Sequence, residues 1–255
     1  MIDIHSHILP GVDDGARTLE DSLDMGKAAV EEGIRTIIAT PHNHNGKYMN
    51  EKEDILLAVE SLNSALQTAE IPLVVLPGQE NRLYGEMVDD LKDDELVTLT
   101  NDTRYVFVEF PSDHVPRYAR RMLFDMQVAG YKPVIVHPER NMELLEHPSI
   151  LFEFVQNGAL SQVTAGSVAG KFGKKIRKFS HELVESGLTH FIASDAHNTT
   201  SRRFWMQDAY HEIREQHGYE TFMLLMENAE LLVEGSNVNQ EEPQPIKKKK
   251  FLGIF

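Results

Sequence analysis

The chain contains no cysteine. That one absence removes disulfide cross-links, thiolate-ligated zinc and a cysteine nucleophile together. It also excludes a disulfide-stapled secreted domain. Basic residues are scarce: 25 Lys and Arg face 40 Asp and Glu, for a formal net charge of −15. Nucleic-acid affinity depends on Lys and Arg neutralising phosphates, so so acidic a surface argues against that partner. An anionic substrate is also repelled on average, and a phosphate-handling site must supply its own positive charge from metal ions or arginines. No run approaches the roughly 18 apolar residues of a membrane span. The start, Met1-Ile2-Asp3-Ile4-His5, has neither a basic n-region nor an apolar h-region. A cytoplasmic location is the expectation.

What is present is an alternation. Short Val/Ile-rich runs predict strands at Ile2–His5, Thr36–Thr40, Leu73–Pro77, Tyr105–Phe110, Lys132–Val136, Ser161–Thr164 and His190–Ser194. Helical periods lie between them. Asn50 followed by Glu53 reads as a capping box for a helix from Glu51 to about Ala69, with Ile55, Leu56, Val59, Leu62 and Leu66 on one face. Thr18 is placed to cap a helix ending before Gly33. Further helices are expected at Arg117–Ala129, Pro148–Asn157, Lys174–Ser186 and Phe204–His217. Strands alternating with helices imply a parallel sheet with right-handed crossovers, either closed into a barrel or open and doubly wound. A chain of 255 residues suits one β/α barrel. No G-x-G-x-x-G follows the first strand, which weakens a nucleotide-binding version. Composition shifts near Ser236, which sets a domain at 1–235 and an expected disordered tail at 236–255. That tail ends in Lys247–Lys250 and an apolar tip, Phe251–Phe255.

The informative pattern is where histidines and carboxylates fall. His5 and His7 end the first strand, and His42 follows the second. Glu80 follows the third, Glu109 closes the fourth, His137 follows the fifth, and Asp195 and His197 follow the last. In a parallel barrel the strand C-termini form one face, so these residues can converge. Side chains two apart on an extended strand point the same way, so both members of His5-x-His7 and of Asp195-x-His197 can reach one site. Imidazole plus carboxylate without sulfur suits manganese, iron or zinc in a catalytic cluster. With Asp14 added, the set exceeds what one ion needs and points to two or three ions sharing a carboxylate. Glu109 lies in the run Val106–Phe110, where an unpaired carboxylate costs several kcal/mol. Asp13-Asp14-Gly15 also reads as a plain turn. His44 sits in a polar loop beside His42. His114, His147, His181, His190, His211 and His217 read as ordinary surface or helix histidines.

These residues resemble a known family. His5-x-His7, Thr40-Pro41-His42, Pro77-Gly78-Gln79-Glu80, His137-Pro138-Glu139-Arg140-Asn141 and Ser194-Asp195-Ala196-His197-Asn198 are similar to the PHP (polymerase and histidinol phosphatase) superfamily. More narrowly they resemble the CpsB/YwqE-type bacterial protein tyrosine phosphatases. The resemblance runs from Met1 to about Leu232 and includes Glu109-Phe110-Pro111 and His114-Val115-Pro116-Arg117-Tyr118. It implies a distorted (β/α)7 TIM-like barrel with the metal site at the C-terminal ends of the strands. One ion would be held by His5, His7, Glu80 and Asp195. A second would be held by Asp14, His42 and His197, and a third by Glu80, Glu109 and His137. Manganese is the family's usual metal, with zinc or iron as alternatives. Arg140 and Arg202 match the phosphate-binding positions, with Arg203 next door. Asp14 is either a proton donor to the leaving phenolate or only a ligand.

The implied activity is hydrolysis of phosphotyrosine by a metal-bridging hydroxide, with no covalent phosphoenzyme. The implied substrate is a bacterial tyrosine kinase controlling capsule or exopolysaccharide synthesis. The tail Lys247–Phe255 could then dock on an acidic kinase segment or an anionic membrane surface, or merely solubilise. Three rivals stand beside this reading. One is a small-metabolite phosphatase of the histidinol-phosphate type. Another is an amidohydrolase, disfavoured by the lack of a bridging lysine at a central strand end. The last is a non-catalytic metal-binding protein.

Overall fold

The computed structural model describes residues 1–246, and the basic-apolar tip lies outside the described residues. The chain begins with β1 (Ile2–Ser6), α1 (Leu19–Glu31), β2 (Thr36–Ala39), β3 (His42–Asn43) and α2 (Lys52–Thr68). Next come β4 (Val74–Pro77), β5 (Glu80–Arg82), α3 (Met87–Lys92), β6 (Tyr105–Glu109), α4 (Ala119–Val128) and β7 (Lys132–Val136). A 3-10 turn at Pro138–Arg140 leads to α5 (Met142–Glu146), α6 (Ser149–Gln156), β8 (Leu160–Thr164) and α7 (Ala165–Val168). The chain closes with α8 (Lys174–Glu185), β9 (Phe191–Ala193) and α9 (Met206–Val233).

All pairings between these strands are parallel. They form two sheets, ordered β1-β2-β4 and β3-β5-β6-β7-β8-β9. The short strands β3 and β5, not foreseen from sequence, continue β2 and β4 after breaks at Thr40-Pro41 and Gly78-Gln79. Gly78 allows the second break: a Cβ there would press within 2.6 Å of the Ile38 side chain. A single bridge, Ser6 to Ala196, joins the first strand to the turn after the last. The parallel α/β class is thus as expected, whereas the pairing is split between two sheets rather than running through one ring.

Period-2 alternation sorts the strand side chains into two cores. Val106, Val108 and Ile135 pack with helix residues Leu123, Leu151 and Leu183. Tyr105, Phe107, Val134 and Val136 pack instead with Ile4, Ile38 and Phe191, capped by Ala229, Leu232 and Val238. Truncating a residue as buried as Phe107 to Ala would cost about 3–5 kcal/mol.

Helix starts obey local chemistry unevenly. Thr18 caps α1 in a full capping box with Asp21. The expected box at Asn50 and Glu53 is absent: Glu51 occupies the N-cap with no side-chain bond. The Asn50 amide is spent elsewhere, donating to the carbonyls of Val12 at 3.2 Å and His42 at 2.8 Å. It ties the loop after β1 to β3, beside the site. The helix expected to end at His217 runs on to Val233 through a break at Gly218. Residues 236–246 also differ from the expected disorder. The Tyr105 hydroxyl donates to the Ser236 carbonyl at 2.6 Å, Asn239 N–H donates to Asn228 at 2.8 Å, and Val238 is buried.

Candidate metal centre

β1 delivers His5 and the residue pair leading to His7. Its pairing with β2 slips between Asp3 and Ser6, and such irregularities re-aim side chains. Both rings face a buried pair of carboxylates. His5 Nε2 lies 3.6 Å from Glu80 Oε2 and 3.7 Å from Asp195 Oδ1, and His7 Nε2 lies 3.4 Å from each of the same oxygens. Donor atoms around an ion at about 2.1 Å are spaced by about 3.4 Å in a tetrahedron. His5, His7 and Glu80 therefore frame an ion-sized gap, with Asp195 facing the two imidazoles from beside it.

Next to it, Asp14 Oδ1 lies 3.3 Å from both His42 Nε2 and His197 Nε2. His7, Asp14, His42 and His197 bring donor atoms within 4.8 Å of one another, as do His42, Glu80 and Glu109. His137 Nε2 meets Glu80 Oε1 at 2.8 Å. Glu80 thus touches every part of the cluster. All nine ligand-type residues singled out from sequence are brought together, although they come from strand ends nearly 200 positions apart.

The orphaned donors test whether this set fits metal. His5 Nε2, His7 Nε2 and His197 Nε2 are buried without a hydrogen-bond partner, while His42 Nδ1 and Glu80 Oε2 lie 2.7 Å from each other. Buried polar atoms rarely go unpaired, because desolvation costs about 1–3 kcal/mol each. Three unpartnered imidazole nitrogens facing carboxylates fit divalent cations. The opposite ring nitrogens are held as metal-bound imidazoles require. Asp13 Oδ2 meets His7 Nδ1 at 2.6 Å, and Gln162 Oε1 meets His5 Nδ1 at 2.8 Å.

Electrostatics act in the same direction. Burial opposes ionisation of Asp195, but Arg140 and Arg202 outweigh it and hold the carboxyl well below its usual range. Burial also opposes ionisation of Glu80, and His42 and His5 reverse it. Arg140 Nη1 donates to Asp195 Oδ2, and Arg202 Nη2 donates to Oδ1 at 3.0 Å and Oδ2 at 2.9 Å. Arg203 instead stacks its guanidinium 3.6 Å from the Trp205 ring centre. Two ligand-bearing turns are left-handed, His137 at φ 35° and Asp195 at φ 52°. Such non-glycine positions cost about 1–3 kcal/mol and concentrate at functional sites.

The histidines set aside stay out of the cluster. His44 stacks on Tyr84 at 3.9 Å, His114 pairs with exposed Asp113, and His181 bonds His217. His190 departs from the expected surface or helix setting, being buried at the start of the last strand. Sequence reasoning missed Asp13, Gln162 and Arg82, whose Nε holds Glu109 Oε2 at 2.9 Å. The signal used for Glu109, a polar residue inside an apolar strand, is absent at Gln162, whose strand reads Leu-Ser-Gln-Val-Thr. Asp13 carried only the signal of a turn, and Arg82 carried none.

The fold and its cluster define a parallel α/β protein with imidazoles and carboxylates converging at the C-terminal ends of its strands. The chain belongs to the capsular polysaccharide synthesis family CpsB/CapC, whose model it matches over residues 1–234. It is 52% identical, across the whole of both chains, to the tyrosine-protein phosphatase YwqE of Bacillus subtilis. It is 32% identical to the tyrosine-protein phosphatase CpsB of Streptococcus pneumoniae, covering 86% of this chain and 91% of that one. A solved structure from work on YwqE and CpsB, described as unique metal-dependent tyrosine phosphatases, superposes with a TM-score of 0.95 at 52% identity. That match covers 97% of this chain and 100% of the other. Among the described residues no helix is long and apolar enough to cross a membrane.

Proposed function

We propose that the chain is a metal-dependent protein tyrosine phosphatase. Its catalytic domain spans 1–235, and its strands are the staves of a distorted seven-membered barrel. The observation that carries this is the set of three buried, partnerless imidazole nitrogens facing carboxylates beside two arginines. Full-length likeness to YwqE supports the substrate class.

His5, His7, Glu80 and Asp195 would hold one ion, Asp14, His42 and His197 a second, and Glu80, Glu109 and His137 a third. Manganese suits this oxygen- and nitrogen-rich set, and zinc or iron would also fit it. Bound ions would supply Lewis acidity and lower the pKa of a coordinated water toward neutrality. The chain's own groups do the rest. Arg140 commits Nη1 and Arg202 commits Nη2 to Asp195. Their remaining N–H donors are free to clamp phosphoryl oxygens in a fork. Charge developing on those oxygens is then met by groups already in place. Asp14 Oδ1 sits equally close to two imidazoles, which suits a ligand better than a proton donor. Phenolate leaves readily, so strong acid assistance is unnecessary. Aromatic walls suit an aryl phosphate: Tyr48 stacks near His42 at 6.1 Å, and Phe172 lies 5.5 Å from the Arg140 guanidinium carbon.

The physiological substrate in this reading is a phosphorylated bacterial tyrosine kinase of capsule or exopolysaccharide synthesis, met in the cytoplasm. The test is phosphate release from a phosphotyrosine peptide by metal-stripped protein, with and without manganese, beside His7→Ala. Release that needs manganese and vanishes in the variant supports the proposal. Release from histidinol phosphate but not from the peptide would replace it with a small-metabolite phosphatase.

A further inference from the structure

The chain is strongly acidic, yet five of the eight residues 171–178 are Lys or Arg. They fall in the loop after α7 and the start of α8, on the same end of the sheets as the metal-type ligands. Three of these cations are already paired. Lys171 meets Asp208 at 3.0 Å, Arg177 meets Glu212 at 2.6 Å, and Lys178 meets Glu182 at 3.0 Å. Lys174 and Lys175 are exposed and form no ion pair among the described residues.

A groove of about 370 Å³ runs from these two lysines to Arg140. Phe172 and Met142 give it apolar walls, and Met142 is 60% exposed. Two acids line it. Glu139 is wholly buried and turned inward, accepting from Ser167 Oγ at 2.6 Å and the Thr164 amide at 3.1 Å. Glu146 is the exposed one. Arg140 belongs to both places: it lines the groove and donates to Asp195 in the cluster. A side chain lying in the groove would therefore sit beside a phosphoryl group held by Arg140.

We propose that this groove is a specificity subsite for an acidic side chain flanking the scissile phosphotyrosine. The inference rests on the phosphatase reading and deepens it by naming the substrate class: segments carrying Asp, Glu or a second phosphotyrosine near the target. Charge complementarity carries it. An average potential set by −15 repels such a segment, and unpaired cations next to the reacting position reverse that locally. Phe172 and Met142 receive the apolar stem of the flanking residue, while Lys174 and Lys175 receive its charge.

The experiment uses the full chain with manganese and two phosphotyrosine peptides of equal length, one with Glu and one with Gln at the flanking positions. Within each enzyme, kcat/KM is read as the ratio of acidic to neutral peptide, so a general loss cancels. The wild type should favour the acidic peptide by about fivefold to tenfold, as expected for two solvent-facing charge pairs. The preference should shrink as salt is raised. In Lys174→Glu/Lys175→Glu the ratio should fall below one, and in Glu146→Gln it should rise. Both lysines are exposed and unpaired, so folding is not at stake. A wild-type ratio near one, or an unchanged ratio in the lysine variant, overturns the subsite and leaves the phosphatase standing. Release from neither peptide by the wild type overturns the phosphatase reading and the subsite together.

Discussion

His190 enters the last strand buried, with Nδ1 accepting from the Ser161 amide at 3.1 Å and Nε2 unpartnered. Burial alone pulls its pKa down to about 4. A histidine whose folded pKa lies below the unfolded value of about 6.5 resists protonation. Its contribution is whole above pH 6.5 and is lost as pH falls through that value toward 4. The full loss is about 3 kcal/mol. Urea midpoints measured from pH 7 to pH 4.5 should fall more steeply for the wild type than for His190→Gln. Parallel slopes would remove His190 as the cause. Gly15 sets a different limit. A Cβ there would overlap the carbonyl oxygen and Cβ of His7. Gly15→Ala should therefore displace Asp14 or His7 and weaken manganese binding at least tenfold, read by metal titration. Asp13→Asn should do so by about 10–100-fold through the orientation of His7 alone.

Elements were legible where one rule dominated. Lys132–Val136 reads the same in sequence and structure because both its faces are buried and β-branched residues fill it. Glu80–Arg82 was unreadable as a strand: three residues, two of them charged, carry no period. Asn50 looked like a cap, but two carbonyls on neighbouring loops compete for its amide and win. The convergence of the ligand-type residues was legible because strand ends in a parallel sheet share a face whatever the exact barrel geometry. Their supports were not, since a supporting side chain obeys no spacing rule. Gly218 was hidden too. At φ 90° and ψ 173° it occupies a region only glycine visits, within a run that otherwise reads as helix. Gly218→Ala should cost about 1–3 kcal/mol by urea unfolding, rather than the gain expected of alanine in a helix. The first turn of α8 holds two lysines and no acid, against its dipole. Lys174→Glu/Lys175→Glu should thus raise stability by about 0.5–2 kcal/mol while reversing the peptide preference. A drop in stability would mean that the lysines serve the fold.

At the scale of the whole molecule, ligand-type side chains from β1, the β2–β3 junction, β5, β6 and the turns after β7 and β9 converge. An ion bound there would add a further tie between elements already joined by ladder hydrogen bonds and packing. Saturating the stripped protein with manganese at about 100 times its Kd should add about 2.7 kcal/mol, a Tm rise of about 5–11 °C. Calorimetry with and without a chelator measures this. A Tm indifferent to manganese would show that the cluster holds no such ion. Deleting residues 236–255 should lower Tm as well, because Tyr105 and Asn228 lose their partners in the strap.

The lone bridge between Ser6 and Ala196 has a consequence in time. His5 and His7 leave the ribosome first, and Asp195 and His197 follow after about three-quarters of the chain has been made. Until then β1 lacks its far neighbour and the cluster lacks a wall. A nascent chain that stops before Asp195 therefore lacks part of the ion-facing set. The seam closes the ligand-type set only once the turn after the last strand has been made, because Asp195 and His197 follow Ala193.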